Sequence, residues 1–120
     1  MFHKLNDRLP RHEHFRHYID NVRCTYSLTV QIDITKLQKV LKSNKLKAYP
    51  AQIYMLASVV NRLCDFRIGI SDQGEAGYWD VLHPSYTVFN AEAKTFSSIW
   101  TTYDKEFSAF YTACIEDIAR

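Results

Sequence analysis

The stretch from Gly77 to Trp100, GYWDVLHPSYTVFNAEAKTFSSIW, constrains the fold of this chain more than any other. Aromatic and β-branched residues fall in three runs, Tyr78 to Leu82, Tyr86 to Phe89 and Thr95 to Trp100, separated by His83-Pro84 and by Asn90 to Lys94. Such side chains suit a pleated, half-buried surface, so the spacing predicts three consecutive strands forming the floor of a sheet. Because the runs carry Tyr78, Trp79, Tyr86, Phe89, Phe96 and Trp100, that floor supplies both core and the wall of an aromatic pocket.

The rest of the chain arranges itself around it. Residues 6 to 20 read as a first helix, with Asn6 or Asp7 as N-cap, Pro10 in the opening turn, and Phe15, Tyr18 and Ile19 on one face. Tyr26, Leu28, Val30, Ile32 and Ile34 then alternate with polar residues, the period-two pattern of a strand with one buried face. Thr35 caps a short helix through about Ser43 in which Leu37, Val40 and Leu41 share a face. Pro50 opens a longer helix with Ile53, Leu56, Ala57, Val60, Leu63 and Cys64 at helical spacing. Phe66 to Ile70 is a short strand, Ser71 to Gly74 a turn, and Phe107, Phe110, Tyr111, Cys114 and Ile118 mark an amphipathic final helix. This order implies an α/β two-layer sandwich, helices covering one face of a mixed β-sheet, with residues 1–120 as one domain. The last helix reaches Arg120 without a capping Gly or Asn, so the expectation is a fold incomplete at its C-terminus.

Composition narrows the function. A length of 120 residues, 47% hydrophobic and 23% charged, is that of an ordinary globular domain. The formal net charge of +2, with scattered basic residues, argues against nucleic acid. No apolar run approaches the roughly 20 residues of a membrane helix, and the N-terminus lacks a signal-peptide core, so a cytoplasmic protein is expected. Cys24, Cys64 and Cys114 are odd in number and widely spaced, which fits reduced thiols.

Few constellations suggest chemistry. Residues 11 to 18, RHEHFRHY, are densely polar, but the order is not H-E-x-x-H and a solvated helix face outweighs a metal site; no metal is expected. There is no G-x-S-x-G and no glycine-rich phosphate loop, and Cys64, on the apolar stripe of its helix, reads as core. Lys36, Lys39, Lys42, Lys45 and Lys47 suit either solvent or a phosphorylated cofactor. The residues by themselves name no reaction.

The wording of five separated motifs does. Arg11-x-Glu13-His14-Phe15-x-x-Tyr18, Tyr26-Ser27-Leu28-Thr29 with Ile32-Asp33-Ile34, Lys47-Ala48-Tyr49-Pro50, Phe66-Arg67 with Tyr78-Trp79-Asp80, and Tyr86-Thr87-Val88-Phe89 with Lys94-Thr95-Phe96-Ser97 stand in order over nearly the whole chain. Together they resemble type A chloramphenicol acetyltransferases. The resemblance implies transfer of acetyl from acetyl-coenzyme A to a hydroxyl of chloramphenicol, with acetyl-coenzyme A as co-substrate and no permanently bound cofactor. It also implies a homotrimer with active sites between subunits, one giving the antibiotic pocket and its neighbour a histidine base.

That histidine belongs to a His-His-x-x-x-Asp-Gly motif, which none of His3, His12, His14, His17 and His83 matches. The resemblance therefore covers the N-terminal, acceptor-pocket portion of such an enzyme and assigns no catalytic residue to this chain. It implies that Arg11 pairs with the motif's Asp and that Tyr18, Cys24, Tyr26 and Phe96 surround the antibiotic ring, with His17 and Leu9 altering the pocket entrance. Lys47 and Tyr49 match the coenzyme side. Open beside this reading are a non-catalytic drug-binding or trimer-forming remnant and an acetyltransferase for another acceptor.

Overall fold

The computed structural model describes residues 1–5 and 11–120. Among them the elements run β1 (Phe2–Lys4), α1 (His12–Arg16), α2 (Thr35–Ser43), α3 (Ala48–Arg62), β2 (Ile68–Ile70), β3 (Ala76–Trp79), β4 (Ser85–Asn90), β5 (Thr95–Trp100) and α4 (Phe107–Ala119). The Asn6, Asp7 and Pro10 signals of the first helix, and Leu9, lie outside the described residues.

The α/β architecture is present, and its strands form two antiparallel ladders. In the first, β3 is central, flanked by β1 and β2. Phe2 stands opposite Trp79 with ring centroids 4.9 Å apart, and Lys4 opposite Gly77. A Cβ at residue 77 would collide with the Phe2 ring and the His3 carbonyl, so this register needs glycine there. The turn from β2 to β3 closes through Ser71, whose N–H donates to the Glu75 carbonyl at 2.8 Å, and Gly74 takes the left-handed φ of 78°. The second ladder is the β4–β5 hairpin, running from Ser85 opposite Trp100 to Asn90 opposite Thr95. The Asn90 side-chain oxygen accepts from the N–H groups of Glu92 and Ala93, both at 3.1 Å, which shapes its loop. The second and third runs between Gly77 and Trp100 are therefore strands; of the first, only Tyr78 and Trp79 are, at the end of β3 in a different ladder, and residues 80–82 lie beyond it.

The core sits between this hairpin and two helices. Ile53 of α3, Phe110 and Cys114 of α4 and Tyr86 of β4 are buried together, with Val88, Ile99 and Ile118 packed against them. Tyr86 and Val88 are two apart on one strand and Ile99 faces Tyr86 across the ladder, so all three point to one side. Burying Phe110 completely contributes about 1.5–3 kcal/mol.

Helix α2 begins and ends where the sequence places it, but Thr35 is its first residue and not its cap. The Asp33 carboxylate accepts from the Thr35 hydroxyl at 2.6 Å and the Thr35 N–H at 2.9 Å, which holds its pKa below the ordinary 3.8. Pro50 lies in the first turn of α3, as its missing N–H allows. At the other end Arg67 donates to the carbonyls of Val60 at 3.2 Å and Asn61 at 2.7 Å, helix-end acceptors that have no partner in the chain direction, and to that of Trp79 on β3 at 2.8 Å. Cys64, expected in the core, lies past the helix end in a 3₁₀ turn, Cys64–Arg67, and is exposed.

Two expectations are corrected. The first helix is short, α1 passing directly into a π-helical turn, His17–Asn21, so that Tyr18 and Ile19 are exposed and not on a packed face. The segment with the clearest alternation has no regular secondary structure and pairs with no strand among the described residues, and it leaves Tyr26 93%, Leu28 79%, Val30 66% and Ile32 74% exposed. The pattern supplies one apolar face, and burying that face requires a partner surface. The radius of gyration, 18.0 Å, exceeds the about 14 Å of a compact chain of this length.

Candidate functional site

Two clefts flank the N-terminal end of α3, and Tyr49 lines both. Its place follows from local sequence: Lys47 is extended, Ala48 starts the helix, and the buried Pro50 fixes the first turn, so residue 49 projects from the helix mouth toward the hairpin. The Tyr49 hydroxyl donates to the Thr87 carbonyl at 2.7 Å, and its ring meets that of Tyr86 edge-on at 5.9 Å.

The first cleft, about 430 Å³, runs between α3 and residues 82–86. Ile53, Leu56 and Val60 give it an apolar wall. Asn61 fixes the opposite rim: its side-chain amide donates to the Leu82 carbonyl at 2.8 Å while its oxygen accepts the Leu82 N–H at 2.9 Å. His83 also lines this cleft. Its Nδ1 accepts the Tyr103 N–H at 3.0 Å and its ring lies over that of Trp100 at 5.8 Å. An accepting Nδ1 carries no proton, so in the neutral ring the proton sits on Nε2.

The second cleft, about 520 Å³, is formed by Tyr49, Thr87, Val88, Phe89, Phe96 and Ile118. Phe89 and Phe96 are cross-strand partners. Both are largely exposed, an arrangement that offers flat aromatic surface to a ligand.

Behind the hairpin is a buried polar chain. The Tyr86 hydroxyl lies 2.6 Å from Thr101 Oγ1 and 3.2 Å from Cys114 Sγ, and Thr101 Oγ1 donates to Asp117 Oδ2 at 2.7 Å. Desolvation, and then the Cys114 contact, push the Tyr86 pKa up to about 12.

The sequence-predicted site residues fall into three groups. Tyr49 and Phe96 share the second cleft. Lys47 precedes them, its N–H donating to the Tyr111 hydroxyl at 2.9 Å and its side chain exposed. Arg11 takes the left-handed φ of 75° before α1, and at the other end of that helical segment the His17 and Tyr18 rings meet edge-on at 5.3 Å; all three residues are exposed. The α1 segment reaches the first ladder through Arg16, which donates to the Gly74 carbonyl at 3.5 Å. Cys24 and Tyr26 lie on the unpaired irregular segment, exposed, with no hydrogen bond or ring contact to the Tyr49–Phe96 cleft among the described residues. His3, on β1, is bound to the Asp80 carboxylate and stacked on Tyr78 at 5.0 Å. Among the described residues no three His, Cys, Asp or Glu side chains converge to hold a metal ion, and no helix is long and apolar enough to cross a membrane.

Sequence reasoning missed Asn61 and the Tyr86–Thr101–Asp117 chain. The first had a signal, a polar residue among the apolar positions of α3; the second had none, since hydroxyl pairing across β4, β5 and α4 leaves no periodic trace.

The family model described as chloramphenicol acetyltransferase matches residues 4–120. A chloramphenicol acetyltransferase of Bacillus pumilus is 51% identical over 119 residues, covering 98% of this chain and 53% of the relative. One of Clostridium butyricum is 50% identical over 108 residues, covering 90% of this chain and 49% of the relative. The chain thus spans about half the length of the curated relatives it matches. In fold it is similar to a solved chloramphenicol acetyltransferase with a TM-score of 0.65 and 18% identity, over 68% of this chain and 38% of the other.

Proposed function

The chain belongs to the chloramphenicol acetyltransferase family, and from that premise we propose that it is the acceptor-pocket half of an enzyme moving an acetyl group from acetyl-coenzyme A to a hydroxyl of chloramphenicol. The observation that carries the reading is the match of residues 4–120 to the family model, joined by relatives of about half identity that bear that name. The shared cleft of Tyr49 and Phe96 supports the division of labour within it.

In this reading Phe96, with Tyr18, Cys24, Tyr26 and His17, surrounds the antibiotic ring, while Tyr49 and Lys47 meet the coenzyme. A histidine base takes the proton of the acceptor hydroxyl as its oxygen attacks the thioester carbonyl; the tetrahedral oxyanion then collapses, expelling the coenzyme thiolate, which takes that proton. The base comes from a His-His-x-x-x-Asp-Gly stretch not contained in these 120 residues. Arg11 orders that stretch through its Asp, a charge-assisted contact. The assembly is a cytoplasmic homotrimer in which a neighbouring subunit supplies the base.

The test is thiol release from acetyl-coenzyme A, with and without chloramphenicol. It compares the 120-residue chain with a full-length chimera in which residues 4–120 replace the matching half of the Bacillus pumilus relative. Drug-dependent release by the chimera alone is expected, since a general base contributes about 10²–10⁴-fold. A folded but inactive chimera refutes the acceptor-pocket assignment. Drug-dependent release by the 120-residue chain alone overturns the placement of the base and transfers it to one of this chain's own histidines.

A further inference from the structure

The buried chain behind the hairpin has a direction that donor and acceptor chemistry fixes. A carboxylate accepts only, so the single Thr101 hydroxyl proton goes to Asp117 Oδ2, at 2.7 Å. Thr101 Oγ1 must then accept in its 2.6 Å contact with Tyr86, which makes the Tyr86 hydroxyl the donor there. With that proton committed, the 3.2 Å contact with Cys114 leaves the thiol as donor to the Tyr86 oxygen. The order is Cys114, Tyr86, Thr101, Asp117, each giving its proton to the next. Tyr86, Thr101 and Cys114 are buried, so water offers no substitute partner.

The anchored group is one end of a ring whose other contact is functional. The Tyr86 ring meets the Tyr49 ring edge-on at 80°. Tyr49 walls both clefts, and its hydroxyl holds the Thr87 carbonyl beside Phe96. We propose that Tyr86 is a positioning residue: its hydroxyl, fixed by Thr101 and Asp117, sets the tilt of its ring, and that tilt sets Tyr49, the side chain shared by the two clefts. The inference rests on the function proposed above and adds a residue whose ring borders the first cleft but whose buried hydroxyl acts only through the ring it anchors. The pKa of about 12 agrees with a hydroxyl that must stay protonated to hold its place in the chain.

The experiment uses the full-length chimera and reads KM for both substrates, kcat and Tm. Tyr86→Phe raises both KM values together by about two- to tenfold, the worth of one hydrogen bond, and leaves kcat within about twofold. Thr101→Val reproduces this, whereas Thr101→Ser, which keeps the oxygen, restores both KM values. Rescue by Thr101→Ser separates positioning from bulk destabilisation, because removal of a methyl group also lowers Tm. Should Tyr86→Phe and Thr101→Val lower Tm and leave both KM values unchanged, the chain is only a core fastening and the inference is wrong. An unmodified chimera that folds without turning over chloramphenicol removes the functional reading and this inference with it; with an active one, the KM values of the variants bear on Tyr86 alone.

Discussion

Phe96→Ala offers the sharpest separation of the two clefts. Phe96 is 66% exposed, so about two thirds of its apolar surface is free for a ligand. Burying a whole phenylalanine side chain is worth about 1.5–3 kcal/mol, and two thirds of that is about 1–2 kcal/mol. At about 1.4 kcal/mol per tenfold, the truncation should raise KM for chloramphenicol by about 5- to 30-fold. The same exposure predicts little damage to the fold, because few native contacts are lost; Tm should fall by only a few degrees. Tyr49, and not Phe96, faces the coenzyme in the proposed arrangement, so KM for acetyl-coenzyme A should stay within about twofold. Steady-state kinetics of the full-length chimera, varying each substrate in turn, measures both. Equal losses for the two substrates would remove Phe96 from the acceptor wall. A large drop in Tm would instead make Phe96 a structural residue whose exposed ring is covered in the whole enzyme.

Three further outcomes follow from particular contacts. Tyr86 has a folded pKa raised from 10.0 to about 12, so the stability it contributes is complete below pH 10 and lost as pH rises toward 12; an alkaline Tm series should show this fall, and Tyr86→Phe should flatten it. Asp80 is held below its ordinary 3.8, chiefly by its bond from His3, so its tether between β1 and β3 is present above that value and lost as pH falls through the lowered one. Amide exchange in β1 should accelerate there, and an equal acceleration in Asp80→Asn would contradict the assignment. The 120-residue chain should self-associate through Tyr26, Leu28, Val30 and Ile32, and Leu28→Lys with Val30→Lys should reduce this in sedimentation; a monomeric unmodified chain refutes it.

What the sequence made legible follows the range of each interaction. The boundaries of α2, the first turn of α3 at Pro50, the β4–β5 hairpin and the stripe of α4 are local patterns, and they stand in the structure as read. The pairing of strands is not local. Residues 77 to 100 look continuous, yet β3 turns to β1 because glycine at 77 admits the Phe2 ring, a fact about close approach that β-propensity does not encode. The segment around Tyr26 to Ile32 shows the limit from the other side: alternation specifies which face is apolar but not what covers it. Of the candidate site, resemblance supplied Tyr49 and Phe96, and the structure brings these two together. The partners of Asn61, Thr101 and Asp117 needed coordinates, since each acts on a residue at least 16 positions away.

The helix α3 explains why Tyr49 is a sensitive position. Its C-terminal end is tied by Arg67 to Trp79 in the first ladder and by Asn61 to Leu82 in the connection, and its N-terminal end by Tyr49 to Thr87 in the second. One helix thus spans both ladders, with Ile53 and Ala57 buried between those ties. A rigid rod held at both ends cannot rotate to relieve a disturbance at one of them without straining the other. A change in the Tyr86 ring therefore meets a Tyr49 backbone that does not yield, and the adjustment falls on the Tyr49 side chain, which is where both clefts take their shape.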